Sequence, residues 1–152
     1  MLAAANDAQV NDAQANVTRR LGELLGQQRE RLQGYLAVLE HQRAAIESGG
    51  EEAILAYVEI LGALAAEILT IQRAIDPLET MRHATGVIAA LRAELEDLKD
   101  RAAEQSRYNS DLLSARMAEL RKEINILKTT QSAIGRQRSL YRETASLIDI
   151  EG

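Results

Sequence analysis

The sequence contains no cysteine, no phenylalanine and no tryptophan, and it has a single proline. Without cysteine the chain can form no disulfide, no thiolate nucleophile and no Cys-based metal site, and this composition fits a reducing cytoplasm. Strands would need more aromatic and β-branched residues than this. The abundant Leu, Ala, Glu, Arg and Gln are instead typical of helices packed as coiled coils, so we expect an all-α protein.

The net charge of -5 at pH 7 is spread over interleaved acidic and basic residues. This balance argues against a nucleic-acid partner and against an anionic membrane surface. The N-terminal stretch MLAAANDAQVNDAQ has neither a basic start nor an apolar run, so we expect no signal peptide. The most apolar window, Ala53 to Ile71, contains Glu59 and Glu67, and each acid would cost roughly 2.5 kcal/mol or more in a bilayer. We therefore expect no stable membrane insertion and interpret this window as a buried helix of a cytoplasmic protein.

Apolar residues at steps of three and four predict a first helix at about residues 8–48. Gly49 and Gly50 should end it, because glycine adopts the left-handed conformation without a steric penalty. A second helix follows at 51–75, and its apolar residues surround so much of its circumference that we expect it to be covered on more than one side. Asp76-Pro77-Leu78-Glu79 resembles a helix start, which predicts a separate short helix at 77–84.

The run from Val87 to Ile134 has no glycine and no proline and predicts one long helix at 87–134. The sequence therefore predicts an antiparallel hairpin of long helices plus a third long helix, a coiled-coil-like three-helix bundle. We expect a single helical domain over residues 1–139 and a flexible C-terminal tail over 140–152. Polar residues interrupt the apolar seams, where they either set the register or keep a seam loose enough to open. They are Gln14, Gln28, Gln42, Gln105 and Asn109.

A mismatch of length points to a binding surface. The second helix is about half as long as the third, so much of the third helix beyond Asn109 should lack a neighbour. Burying a large apolar side chain contributes roughly 1.5 to 3 kcal/mol, which favours docking of another helix. The face concerned comprises Leu113, Met117, Leu120, Ile124 and Leu127.

Catalytic and metal sites are not indicated. A di-iron bundle needs Glu-x-x-His motifs, and neither His41 nor His83 has a glutamate three residues before it. The sequence has no glycine-rich phosphate loop, no nucleophile elbow and no Ser-His-Asp set. We expect a non-enzyme that needs no metal or other cofactor.

Three segments carry a family resemblance. They are LLGQQRERLQGYLAVLEHQRAAI (Leu24 to Ile46), ILTIQRAIDPLE (Ile68 to Glu79) and RYNSDLLSARMAELRKEINILK (Arg107 to Lys128). In their order and in the type of the short tail SLIDI they resemble the FlgN family, the cytoplasmic chaperones of flagellar (type III) export. The Ala-rich start before Thr18 does not match this family well.

The resemblance implies a helical protein that binds the terminal helices of the hook-associated proteins FlgK and FlgL, prevents their premature assembly and aids their secretion. It also makes the export gate a candidate partner. Members of the family bind cargo through their C-terminal helical region. Carried over to this sequence, the implied cargo-binding residues are Leu112, Leu113, Met117, Leu120, Ile124 and Leu127.

Two other interpretations remain open. The chain could be a structural coiled-coil protein without a client, which would form a homodimer through the same surface. It could also be a membrane-associated amphipathic scaffold, although the acidic net charge disfavours this.

Overall fold

The computed structural model describes residues 2–81 and 86–151, with side chains described up to residue 145. It contains three helices, α1 (Leu2–Ser48), α2 (Glu51–Glu79) and α3 (Gly86–Glu151). No strand occurs among these described residues. The structure confirms the all-α class and the three-helix bundle.

The chain divides into two compact units, Met1–Leu112 and Leu113–Gly152. The first unit contains α1, α2 and the first part of α3, and the second contains the remainder of α3. The sequence had predicted one domain over residues 1–139. The boundary lies earlier because side chains from all three helices share a core only in the first unit.

The turn between α1 and α2 is formed as its glycines predict. Gly49 has a φ of 75°, the left-handed conformation that only glycine adopts without strain. The Gly50 amide donates to the Ala45 carbonyl at 3.0 Å, and the Gly49 amide donates to the Ile46 carbonyl at 3.3 Å. These bonds satisfy carbonyls that would otherwise be unpaired at the end of α1.

The predicted helix break at Ile75 is wrong. α2 continues through Pro77 to Glu79, and no separate helix begins at Pro77. Proline removes one backbone hydrogen bond, but Ile75 is 1% exposed and Leu78 packs against the same core. Core packing on both sides of Pro77 favours the helical path. The remainder of the predicted short helix, residues 82–84, lies outside the described residues, as does His83.

Two predicted helix ends also differ from the structure. α1 begins at Leu2, before residue 8, because the Ala-rich start has a high helix propensity. α3 continues past Ile134 and Gly135 to Glu151, so the tail predicted as flexible is helical over residues 140–151. One interior glycine costs only about 1 kcal/mol relative to alanine, and no proline follows it. Gly152 lies outside the described residues.

α1 is the central helix of the first unit. Its leucines form the core together with one residue of α2 and three of α3. This core comprises Leu21, Leu24, Leu25, Leu32, Leu36, Ile75, Ile88, Leu95 and Leu98. A second cluster joins Leu39, Leu61 and Ala102. Each of the three helices therefore contributes at least one side chain to each cluster.

The expectation that α2 is covered on more than one side is wrong. Within α2, whose residues are all described, only Leu61 and Ile75 are buried. The reason is geometric, since an outer helix of a three-helix bundle packs against its two neighbours along one face. The opposite face of α2 stays exposed although it is strongly apolar.

Candidate protein-binding surface

A buried amide cluster marks one end of the first unit. Asn109 on α3 is 3% exposed, and its Nδ2 donates to the Leu39 carbonyl at 2.8 Å and to Gln42 Oε1 at 3.1 Å. Gln105 Nε2 in turn donates to Asn109 Oδ1 at 2.9 Å. A shift of α3 along α1 would leave the Asn109 and Gln42 side-chain amides unpaired in a buried site, at about 1 to 3 kcal/mol each. The cluster therefore favours register control as the role of these polar seam residues.

A second amide pair links α1 to α2. Gln28 is 1% exposed, and its Nε2 donates to Gln72 Oε1 at 2.8 Å, while Gln72 Nε2 donates to Asp76 Oδ1 at 2.7 Å. Gln14 differs, because it is only half-buried and its Oε1 accepts no hydrogen bond. Four of the five predicted polar seam residues thus bond to other side chains, and the fifth does not.

Two arginine side chains of α1 contact α3 at the surface of the protein. Arg29 of α1 bonds to Glu94 of α3 at 3.0 Å, and Arg43 of α1 lies over the Tyr108 ring of α3 at 4.9 Å. A hydrogen bond to Glu47 raises the pKa of Arg43 above its ordinary value. These exposed contacts orient α3 on α1 but contribute little stability.

The predicted binding residues lie on α3, and their exposure divides them into two groups. Leu112 and Leu113 are half-buried at the boundary of the two units. The other four form a line of exposed side chains in the second unit, which we call the α3 seam. It comprises Met117 (46% exposed), Leu120 (49%), Ile124 (49%) and Leu127 (61%). The structure confirms that this face is uncovered, and its binding role remains a prediction.

The α3 seam extends further than the predicted set. Ile134 and Tyr141 follow Leu127 at steps of seven residues, and both are exposed. They were not included among the binding residues because Gly135 suggested that the helix would end there. The seven-residue step was the signal in the sequence that could have identified them. Ile126 and Leu140 are also exposed and widen the apolar surface beside the seam.

The overall charge conceals a strong asymmetry between helices. Residues 113–145 of α3 contain seven basic and three acidic side chains, whereas α2 contains six acidic side chains and one arginine. Arg116, Arg121 and Lys128 directly flank the α3 seam at the heptad positions that face a partner helix, with Glu123 as the acidic exception. The seam is therefore apolar, and the residues beside it are mostly basic.

The outer face of α2 is the second uncovered apolar surface. Leu55, Val58, Ile60 and Leu69 are all exposed. By length and composition alone α2 could cross a membrane, with a mean hydropathy of 2.0 over its most apolar window, of which 6% is buried. Glu67 of α2, however, forms an ion pair with Arg31 of α1, and Leu61 packs against Leu39. These contacts hold α2 in the bundle of the first unit.

His41 has the surroundings of a surface side chain. His41 is exposed, its Nδ1 lies 2.7 Å from the Ala37 carbonyl, and its ring lies 6.1 Å from that of Tyr57. Among the residues that the structure describes, no group of three or more His, Asp or Glu side chains could hold a metal ion.

Comparison with known proteins identifies one relative. An uncharacterized protein of Treponema pallidum (strain Nichols) is 32% identical over 120 residues, which cover 76% of this chain and 78% of the relative. The chain belongs to the same family as this Treponema protein. No family model matches the chain, and no solved structure matches it. The family is thus shown by sequence, while the relative's description assigns it no activity.

Proposed function

We propose that this protein is a cytoplasmic, non-enzymatic export chaperone that binds an amphipathic helix of its client through the α3 seam. The resemblance to the FlgN family suggests the clients, which are the terminal helices of hook-associated proteins similar to FlgK and FlgL. Binding there would prevent premature assembly and aid secretion, with the export gate as a further candidate partner. The function needs no metal or cofactor.

The observation that carries this proposal is the uncovered heptad line from Met117 to Leu127. Four large apolar side chains in succession are about half exposed, although burying each one would contribute roughly 1.5 to 3 kcal/mol. An exposed line of this kind, at steps of three and four, is the pattern that docks a second helix by knobs-into-holes packing. Isolated exposed apolar residues would not support the proposal, whereas a continuous line does.

The border of the seam specifies the chemistry of the client helix. Arg121 and Lys128 lie on one side of the seam, and Arg116 and Glu123 lie on the other. A client helix with acidic residues beside its own apolar line would be attracted, and a basic helix would be repelled. Met117 adds a flexible side chain that can adapt to more than one client.

The test is calorimetric titration with FlgK-like and FlgL-like proteins from the same organism. We expect binding with a dissociation constant of about 1 μM or lower, which is lost when the terminal helices of the client are deleted. Leu120→Glu with Ile124→Glu should weaken binding by at least about 100-fold, because it places two charges at the centre of the contact. Both positions are exposed, so the variant should keep its helical content and unfolding midpoint.

A matched control distinguishes the seam from the rest of the helix. Ala115→Glu with Thr129→Glu introduces the same two charges on the opposite face of α3, at exposed positions. This control should bind the client as the wild type does. Equal losses in both variants, or no binding of the wild type to either client, would overturn the proposal.

A further inference from the structure

One side of α2 bears a continuous line of exposed apolar and small residues, which we call the α2 line. They follow one another at steps of three and four, which places them on one side of the helix. The line comprises Leu55, Val58, Gly62, Ala65 and Leu69, all of them exposed. A continuous apolar surface marks a contact with another molecule, whereas single exposed apolar residues do not.

The α2 line is symmetrical about Gly62. Leu55 precedes Gly62 by seven residues, and Leu69 follows it by seven. Gly62 has open space where a Cβ would be, and a small residue at a crossing point lets two helix axes come close. If a second α2 crosses the first at Gly62 in the opposite direction, Leu55 of each copy meets Leu69 of the other.

The charged residues near the two ends of the line have the same symmetry, with opposite signs. Arg73 follows Gly62 by eleven residues, while Glu51 and Glu52 precede it by eleven and ten. All three charged residues are exposed, and within the described chain none of them forms an ion pair. An antiparallel pair of α2 helices brings the arginine of each copy to the two acids of the other, whereas a parallel pair brings like charges together. Charge complementarity therefore favours a second, antiparallel copy of α2.

The other acidic residues of α2 do not oppose this pairing. Two of them form ion pairs with arginines of α1 and α3, and a third accepts a hydrogen bond from a glutamine of α2. They are Glu67, Glu79 and Asp76. Glu59 precedes the crossing point by three residues, so it lies opposite the uncharged Ala65 of the second copy. No acid of one copy then lies directly opposite an acid of the other.

A lipid surface is the alternative occupant of this apolar face, since α2 is apolar and long enough to cross a membrane. Its charges disfavour this occupant. Glu59 lies close to the centre of the α2 line and would have to leave water in a bilayer. With six acidic residues and one arginine, α2 would also be repelled by anionic headgroups.

We propose that the protein forms an antiparallel homodimer in which the α2 line packs against the same line of a second copy, with the twofold axis at Gly62. This contact uses the same patch on both copies, so it closes as a dimer by itself. It involves no residue of the α3 seam and does not depend on any client. If the proposed function also holds, each dimer carries two seams for client helices.

Disulfide cross-linking tests the geometry of the pair, because the chain has no cysteine of its own. Gly62→Cys places a thiol at the twofold axis, so mild oxidation should link two copies, as measured by non-reducing electrophoresis. Leu55→Cys should not link to itself, because its two copies lie about 21 Å apart along antiparallel helices. An equimolar mixture of Leu55→Cys and Leu69→Cys should give mixed dimers. Self-linking of Leu55→Cys would indicate a parallel pair and overturn the proposal.

Sedimentation equilibrium of the full chain tests the apolar contact. The wild type should be a dimer at about 100 μM, and Leu55→Glu with Leu69→Glu should raise the dissociation constant at least about 100-fold. The matched control is Ala56→Glu with Thr70→Glu, which adds the same two charges about 100° further around the helix. This control should dimerise as the wild type does. All four positions are exposed, so both variants should keep the circular dichroism of the wild type.

Charge reversal tests the direction of the pair. Arg73→Glu and the double variant Glu51→Arg with Glu52→Arg should each raise the dissociation constant by about tenfold, because each places like charges opposite one another. An equimolar mixture of the two should recover the affinity of the wild type. In the mixed dimer one copy is basic and the other acidic at all of these positions. Failure of the mixture to recover would contradict the antiparallel register.

Two further results would overturn the inference. The first is a wild type that is monomeric at about 100 μM. If it also binds vesicles of phosphatidylcholine and phosphatidylglycerol, the exposed face of α2 contacts lipid instead. The second is a dimer that is lost in Leu120→Glu with Ile124→Glu, because that variant leaves the α2 line intact and should remain a dimer. Mass is measured without any client, so a failed client titration leaves these results unaffected.

Discussion

α3 carries apolar residues at the same steps of three and four in both units, yet the two parts differ in what covers them. In the first unit Ile88 and Leu95 are each 2% exposed, whereas in the second unit Leu120 and Ile124 are each 49% exposed. The difference lies in the neighbours, since α1 and α2 contribute to the core of the first unit only. Periodicity identifies the face of a helix that will bind, but it does not identify the partner.

The polar seam residues of the two parts also differ in their surroundings. The seam in the first unit includes Gln105 and Asn109, whose amides are hydrogen bonded. In the second unit the seam is uninterrupted from Leu113 to Leu127, and beyond it Gln131 and Arg138 occupy the positions between the apolar residues. Both of these polar side chains are exposed. The polar seam residues of the first part are thus paired with other side chains or with α1, whereas those of the second part face solvent.

The largest effect is expected when a buried leucine of the first unit is compared with an exposed leucine of the second unit. Leu39→Ala should lower the free energy of unfolding by about 2 to 5 kcal/mol, because Leu39 is 2% exposed and its removal leaves a cavity. Leu120→Ala should change it by less than about 0.5 kcal/mol in the monomer. Urea unfolding followed by circular dichroism measures both, at a protein concentration where light scattering shows a monomer. Similar losses of unfolding free energy at the two positions would contradict the difference in packing between the two units.

A smaller effect is expected from the buried amide of Asn109. Asn109→Ala should cost about 1 to 3 kcal/mol of unfolding free energy, because Gln42 Oε1 loses its donor in a buried site. Replacing Asn109 and Gln42 together by leucine should recover part of this loss, since fewer polar groups are then left unpaired. A double-mutant cycle of urea midpoints measures the coupling.

The matched position in the second unit is Asn125, which is exposed on the same helix. Asn125→Ala should leave the unfolding free energy within about 0.5 kcal/mol of the wild type. If Asn109→Ala were equally harmless, the register role of the amide cluster would be excluded. The alternative interpretation, in which these polar residues keep the seam loose enough to open, would then be favoured.

Most of the fold could be predicted from local features. Heptad spacing predicts the helices, and Gly49 predicts the turn between α1 and α2, because both signals act within a few residues. The continuation of α2 through Pro77 could not be predicted in this way. It depends on the packing of Ile75 and Leu78 against residues of α1 and α3, which are distant in sequence.

The candidate binding surface could also be predicted only in part. The uncovered face of α3 could be predicted because it follows from helix lengths, which are local properties. The exposed outer face of α2 could not, because its apolar pattern is also that of a buried helix and the number of its neighbours is a tertiary property. The charge contrast between α2 and the second unit was present in the sequence, and it acquires meaning only once both faces are known to be exposed.

The smallest expected effect compares two glycines inside helices. Gly34 in α1 and Gly135 in α3 both have open space where a Cβ would be, so alanine fits at either position. Alanine is favoured over glycine in a helix by about 0.5 to 1 kcal/mol, because the unfolded chain loses flexibility. Gly34→Ala should therefore raise the free energy of unfolding of the first unit by about that amount.

Gly135→Ala should leave that free energy unchanged in the monomer and increase the far-UV circular dichroism signal instead. Residue 135 belongs to the second unit, where no core couples the helix to α1 and α2, so added helix propensity acts locally. An increase in urea midpoint for Gly135→Ala, equal to that for Gly34→Ala, would show that both parts of α3 unfold together. The two parts of α3 would then differ in the exposure of their side chains but not in their stability.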